Sequence, residues 1–169
     1  QGPGLLGSLL VGSAFAKSLS LALNIPLIPI NHIQGHLLVH FIEDERIQIP
    51  SFPFLGVILS GGHTQLVDVR DHFNMNILGT TLDDAIGEAF DKCGKRIGLP
   101  YTSGPLIDKL AEKGKPHKFI FPISKLSNYN VSYSGVKTAF INFISNSEQK
   151  NPDFIKNNLV DLCASLQYT

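Results

Sequence analysis

The chain has 169 residues, 43% of them hydrophobic and 17% charged, which excludes a disordered tail or peptide and leaves enough apolar mass for a buried core. Its 14 basic and 14 acidic residues cancel, so no overall positive field recruits nucleic acid, and any RNA contact has to be local or made by other segments. Cys93 and Cys163 stand far apart without a Cys-x-x-Cys spacing, which argues against a disulfide framework or a zinc ribbon and for a reducing, cytoplasmic setting. The low charge also implies that part of the surface faces other protein.

Gln1 is not an initiator, and Gly2-Pro3-Gly4 leads directly into apolar sequence. Leu5 to Leu23 reads as a helix rich in small residues, among them Gly7, Ser8, Gly12 and Ser13, which let another element approach closely. From Gly4 to Ile42 the one charged residue is Lys17, yet Pro26, Pro29, Asn31 and three histidines interrupt the run, so it fails as a membrane span. No basic segment precedes it to make a signal peptide. Leu27 to Ile30 reads as a short strand between prolines, after which Asn31 caps a helix to about Glu43. Ile47 to Pro53 is a proline-marked loop. Phe54 to Leu59 reads as a buried strand, Thr64 to Val69 alternates as a second and Met75 to Leu78 is a third, together a small antiparallel meander.

From Asp83 the period becomes helical up to Gly98, about four turns, with Asp83 and Asp84 placed as favourable charges at the helix N-terminus. Pro105 suits the first position of a helix through Lys113, and Lys115 to Asn130 is loop-like. Ser134 to Ser145 and Asp153 to Thr169 read as helices, the last without a termination signal, so both ends look cut. Strands with intervening helices indicate an α/β protein of two lobes, neither of them whole.

His32 and His36 differ by only about 40° in azimuth on a helix and can present two imidazoles to one transition metal, leaving room for a carboxylate and for substrate or water. Histidine pairs at that spacing also arise by chance. His40 extends the same face as a candidate third ligand, but it lies a further turn along the axis and reads rather as a solvated or packed side chain. The metalloprotease pattern needs Glu directly after the first histidine, where Ile33 stands. Ser60-Gly61-Gly62-His63-Thr64 joins two strands, and its glycines leave backbone N–H groups free to face an anion, although a plain hairpin uses the same residues. Asp91 follows Asp84 by seven residues on nearly the same face and can accept hydrogen bonds from ribose hydroxyls, or serve as a solvated carboxylate. Gly104 and Asp108 open the next helix, where N–H groups and a carboxylate can grip another ligand edge. Ser132-Tyr133-Ser134-Gly135 before Lys137-Thr138 lacks the first glycine of a phosphate loop, so it is not one.

Taken in order, these motifs resemble the TsaD family, also called Gcp or YgjD, the tRNA N6-adenosine threonylcarbamoyltransferases. The resemblance runs through Gly2-Pro3-Gly4-Leu5, Ser8 to Gly12, Asn31-His32 with Gly35-His36, Ser60 to Leu66, Asp83-Asp84, Gly87 to Lys92, Ser132 to Thr138 and Ala164 to Gln167, nearly the whole chain. It implies an actin-like, sugar-kinase-like ATPase (ASKHA) fold of two lobes, with residues 1–53 ending the N-terminal lobe and 54–169 forming part of the second. The family's opening strands and its C-terminal segment, with a metal-binding aspartate, fall outside these residues. The implied reaction passes threonylcarbamoyl from threonylcarbamoyl-AMP to N6 of the adenosine 3′ to the anticodon, in tRNAs reading codons that begin with A.

By the same resemblance His32 and His36 are metal ligands, for Fe(II) or alternatively zinc, with the ion a Lewis acid and template for the donor. Ile58, Leu59, Ser60, Gly61 and Gly62 hold that donor or ATP/ADP, and Asp91, Gly104 and Asp108 contact its adenosine part. The implied partners are tRNA and, in a bacterial version, a TsaB-type paralogue and a TsaE-type ATPase, with no membrane. Two departures stand out: Gln34 replaces a glutamate common between the histidines, and Thr102-Ser103-Gly104 stands where Pro-Gly-Gly is usual. The competing expectations are a metal-dependent glycoprotein endopeptidase, weakened by Ile33, and an inactive scaffold paralogue, weakened by His32, His36, Asp91 and Gly104.

Overall fold

In the computed structural model the described residues are 2–3, 6–44, 46, 48–124 and 126–169. They form two compact units, residues 1–58 with 66–77 and residues 59–65 with 78–169.

The first unit begins with α1, Leu6–Leu23, which ends where Asn24 turns left-handed at φ 51° and Ile25 N–H reaches back to the Ser20 carbonyl. None of its residues is buried, and a Cβ at Gly7 or Gly12 meets nothing within 4 Å. By length and composition it can cross a membrane, the one such helix among the described residues. The prolines and histidines that interrupt the longer run from Gly4 to Ile42 all lie beyond Leu23, and a core helix of a soluble protein has the same length and composition. Leu27 to Ile30 forms no strand and is exposed, since a strand needs a pairing neighbour and none of the described residues supplies one.

Asn31 caps α2, His32–Leu38, its Oδ1 accepting from the N–H groups of Ile33 (2.9 Å) and Gln34 (3.2 Å). The helix stops earlier than Glu43 and tightens into a 3-10 turn at Val39–Phe41. Ile33 and Leu37 leave α2 on one side and bury against Ile58, Val67 and Val69. Gly56 permits that approach, since a Cβ there would lie 2.5 Å from the Leu37 side chain. Phe41, Phe52 and His72 pack ring against ring at 4.8–4.9 Å.

The meander is present as β1 (Phe54–Leu59), β2 (Thr64–Val69) and β3 (Met75–Thr80), in that spatial order. The third strand runs two residues past Leu78, because Thr80 N–H finds an acceptor in Asn130 Oδ1 and Thr80 Oγ1 in the Thr64 carbonyl.

The second unit is helical: α3 (Ile86–Arg96), α4 (Gly104–Ala111), α5 (Ser134–Lys150) and α6 (Phe154–Tyr168). Helix α3 starts three residues after Asp83 and has 11 residues rather than four turns. Asp83 and Asp84 stand before it, because each carboxylate is taken by groups elsewhere in the unit. Asp83 caps α5 instead, accepting from Ser132 Oγ and from the N–H groups of Tyr133 (2.8 Å) and Ser134 (3.3 Å). Asp84 takes Lys92 at 2.8 Å and Lys137 at 2.5 Å. Helix α3 ends where Gly98, at φ 82°, lets Leu99 N–H return to the Gly94 carbonyl. Helix α5 outruns Ser145 by five residues, as its inward face carries Phe140 and Ile144. These two, Ile107, Leu162 and Cys163 are fully enclosed at the centre of the core, with Cys93 and Ile97 from α3 against them.

Candidate functional site

The hairpin turn between β1 and β2 fixes the start of α3. Ser60 N–H donates to the His63 carbonyl at 2.9 Å, and Ser60 Oγ accepts from the N–H groups of His63 (2.9 Å) and Gly62 (3.3 Å). The turn therefore uses the N–H groups of Gly62 and His63 on its own serine hydroxyl. Gly61 and Gly62 still leave the space above the turn open, with nothing within 4 Å of a Cβ at either. Two first-turn donors of α3 are also used here, Ile86 N–H on Thr64 Oγ1 at 3.0 Å and Gly87 N–H on the Ser60 carbonyl at 3.2 Å. A Cβ on Gly87 would lie 2.7 Å from Gly61 Cα, so glycine is what lets helix and turn touch. Neither Thr64 nor Gly87 is a candidate by sequence, although a threonine right after a glycine turn is a possible source of a helix-capping hydroxyl.

One turn further along α3, Asp91 Oδ1 accepts from Ser103 N–H at 2.6 Å, which leaves Oδ2 for another donor. Ser103 is buried, its Oγ donating to the Pro100 carbonyl, and its side chain lies against Gly94. Serine in place of glycine is thus accommodated at the start of α4. An open cavity of about 440 Å³ is lined by Gly61, Glu88, Asp91, Lys92, Lys95 and Tyr101. The structure therefore brings Gly61 and Asp91 to one space. Ile58, Leu59, Ser60, Gly62, Gly104 and Asp108 do not line it, and Asp108 is exposed, accepting from Gln167 Nε2 at 2.8 Å. A second, more apolar cavity of about 230 Å³ lies on another face of α3, among Cys93, Pro122, Tyr133 and Leu166.

The charges beside the first cavity are fixed. Hydrogen bonds from Lys137 and Lys92 hold the Asp84 carboxyl below its ordinary 3.8. Burial pushes Asp83 upward, but its bonds from Ser132, Tyr133 and Ser134 outweigh that and leave it lowered. Asp84 and Glu88 raise the Lys92 ammonium. Burial pushes the Cys93 thiol up to about 12 and the Cys163 thiol to about 11, so neither offers a thiolate at neutral pH.

In the first unit, the helical spacing of His32 and His36 becomes an Nε2–Nε2 separation of 2.9 Å. His32 Nδ1 lies 3.0 Å from the Pro3 carbonyl oxygen, which can only accept; that bond puts the ring's proton on Nδ1 and leaves the Nε2 lone pair for His36 or an ion. Two nitrogens at right angles around one ion, with bonds of about 2.1 Å, lie about 3.0 Å apart, so the pair fits a shared transition metal. His40 stays exposed in the 3-10 turn, and among the described residues no group of three His, Cys, Asp or Glu side chains could complete a metal site.

A family model described as TsaD, tRNA N6-adenosine threonylcarbamoyltransferase, matches residues 1–169. The chain belongs to the TsaD family. It is 57% identical over its whole length to the tRNA N6-adenosine threonylcarbamoyltransferase of Christiangramia forsetii, covering 50% of that protein. The proteins of the same name from Riemerella anatipestifer and Porphyromonas gingivalis are 54% and 50% identical, over 99% and 100% of the chain and 49% and 50% of theirs. The chain thus spans about half the length of the curated relatives it matches. An α/β chain with a three-stranded antiparallel meander and packed helices is compatible with the ASKHA-type fold of the TsaD family.

Proposed function

We propose that this chain is the central part of a two-lobed, cytoplasmic tRNA-modifying acyltransferase, with residues 1–53 closing the first lobe and 54–169 contributing to the second. The intact protein transfers threonylcarbamoyl from threonylcarbamoyl-AMP to N6 of the adenosine 3′ to the anticodon of tRNAs reading codons that begin with A. In that reaction the amine forms a C–N bond to the carbamoyl carbon, the bond from that carbon to the phosphate oxygen breaks, AMP leaves and the amine loses a proton.

The observation that supports this reading most is the meeting of Gly61 and Asp91 at one cavity in a chain that matches the TsaD family from end to end. The segment from Ile58 to Gly62, of which Gly61 lines that cavity, holds the donor by its acyl-phosphate end, while Asp91 Oδ2 takes the ribose hydroxyls. Gly104 and Asp108 contribute to the adenosine side. His32 and His36 hold a divalent metal, Fe(II) or zinc, whose chemistry when bound is that of a Lewis acid towards the donor. Asp83, Asp84 and Thr64 keep α3 and α5 in place so that Asp91 keeps its distance from the turn. The substrate tRNA binds mainly through segments outside this neutral chain, and a TsaB-type subunit and a TsaE-type ATPase act with it.

The test supplies the full-length protein and its partners with tRNA, threonine, bicarbonate, ATP and the donor-making enzyme, and then analyses tRNA nucleosides. Threonylcarbamoyladenosine forms with the wild type and falls at least about a hundredfold with His32→Ala. No product from the wild type overturns the reading. Bound metal is read separately, and unchanged content in His36→Ala removes the metal assignment.

A further inference from the structure

We infer that Tyr101 and Lys95 are the base-contacting, specificity-determining residues of the cavity that Gly61 and Asp91 line. This deepens the donor-binding reading above and rests on it.

Helix α3 works as a ruler along that cavity. Gly87 sits on the Ser60-Gly61 turn, Asp91 is about 6 Å further along the axis and Lys95 about 12 Å, all on nearly one face. A nucleotide whose phosphate lies at the turn and whose ribose lies at Asp91 extends its base towards Lys95. Tyr101 lines the same cavity there. It is 87% exposed, and among the described residues its ring stacks on no other ring. A large aromatic side chain left in water at a cavity wall, with its π-face free, is a stacking platform for a planar base.

The two lysines differ. Lys92 is held by Asp84 and Glu88 at 2.8 Å each, so its charge is spent within the protein. The Lys95 ammonium has no ion-pair or hydrogen-bond partner among the described residues. Its stem covers the open face of the base opposite Tyr101, and its ammonium meets the electron-rich ring edge. A purine, with the larger stacking area, gains more from this arrangement than a pyrimidine.

The experiment titrates AMP and CMP into the full-length protein and into its Tyr101→Ala, Tyr101→Phe, Lys95→Ala and Asp91→Ala variants, with circular dichroism to verify folding. Tyr101→Ala weakens AMP binding about tenfold and narrows the AMP-over-CMP preference, while Tyr101→Phe stays within about twofold of wild type. Lys95→Ala costs about threefold. AMP affinity unchanged in Tyr101→Ala but reduced in Asp91→Ala overturns this inference and leaves the donor-binding reading standing. A wild-type protein that binds neither nucleotide overturns that reading as well. An equal loss in Tyr101→Phe and Tyr101→Ala also rejects stacking, since phenylalanine keeps the ring.

Discussion

Helix α1 is the most apolar of the chain and buries nothing, whereas the more polar α5 and α6 bury Phe140, Ile144, Leu162, Cys163 and Leu166 between them. Composition records what a helix is suited to pack against, and burial records what reaches it. The helices of the second unit meet partners within this sequence; α1 has none among the described residues, and its small residues keep open the close approach they were read to allow.

The sharpest way to break that contrast is a pair of truncations in this 169-residue chain. Phe140→Ala removes a fully enclosed ring and costs about 3–5 kcal/mol in urea denaturation, while Phe15→Ala on α1 shifts stability by less than about 0.5 kcal/mol. Similar losses at both positions mean that α1 is packed in solution. A smaller effect compares two glycines. Gly87→Ala drives a Cβ to 2.7 Å from the Gly61 backbone and costs about 1–3 kcal/mol, whereas Gly12→Ala, with nothing in reach, is neutral or stabilising by up to about 1 kcal/mol. A neutral Gly87→Ala shows that the turn and α3 yield to one another.

The smallest effect is at the α5 cap, where Asp83→Ala costs about 1–2 kcal/mol at neutral pH. The folded carboxyl titrates below 3.8, so its contribution is complete above that value and fades as the pH falls through the folded pKa. The difference between wild type and Asp83→Ala, followed by urea denaturation from pH 7 downward, therefore shrinks only in the acid range. A gap that persists there means the cap does not depend on charge.

The bounds of β1 and β2 were legible to the residue from an apolar run, an alternation and a glycine turn, and so was the Asn31 cap. Yet β1 is not the buried strand its run implies, since Leu55, Val57 and Leu59 are exposed. The histidine pair was legible as well, since helical period alone brings two rings together. Asp83 and Asp84 misled for the opposite reason. Their placement suits the N-terminus of α3, but Tyr133 lies 50 residues away and Lys137 lies 53 from Asp84, and no local rule sees such competition. Thr64 and Tyr101 went unread likewise: one acts through a helix that begins 22 residues later, the other by what it leaves uncovered.

The hydrogen bond from His32 Nδ1 ends on a main-chain oxygen. Substituting Pro3 changes a side chain but leaves a carbonyl at that position, so mutation there cannot delete the acceptor. Only movement of the backbone can. The hold on the imidazole is therefore a property of where the chain's first residues lie, reinforced by His32 N–H on the Gly2 carbonyl at 3.4 Å. Anything that draws residues 2–3 aside frees the ring to rotate, and the lone pair aimed at His36 swings away with it.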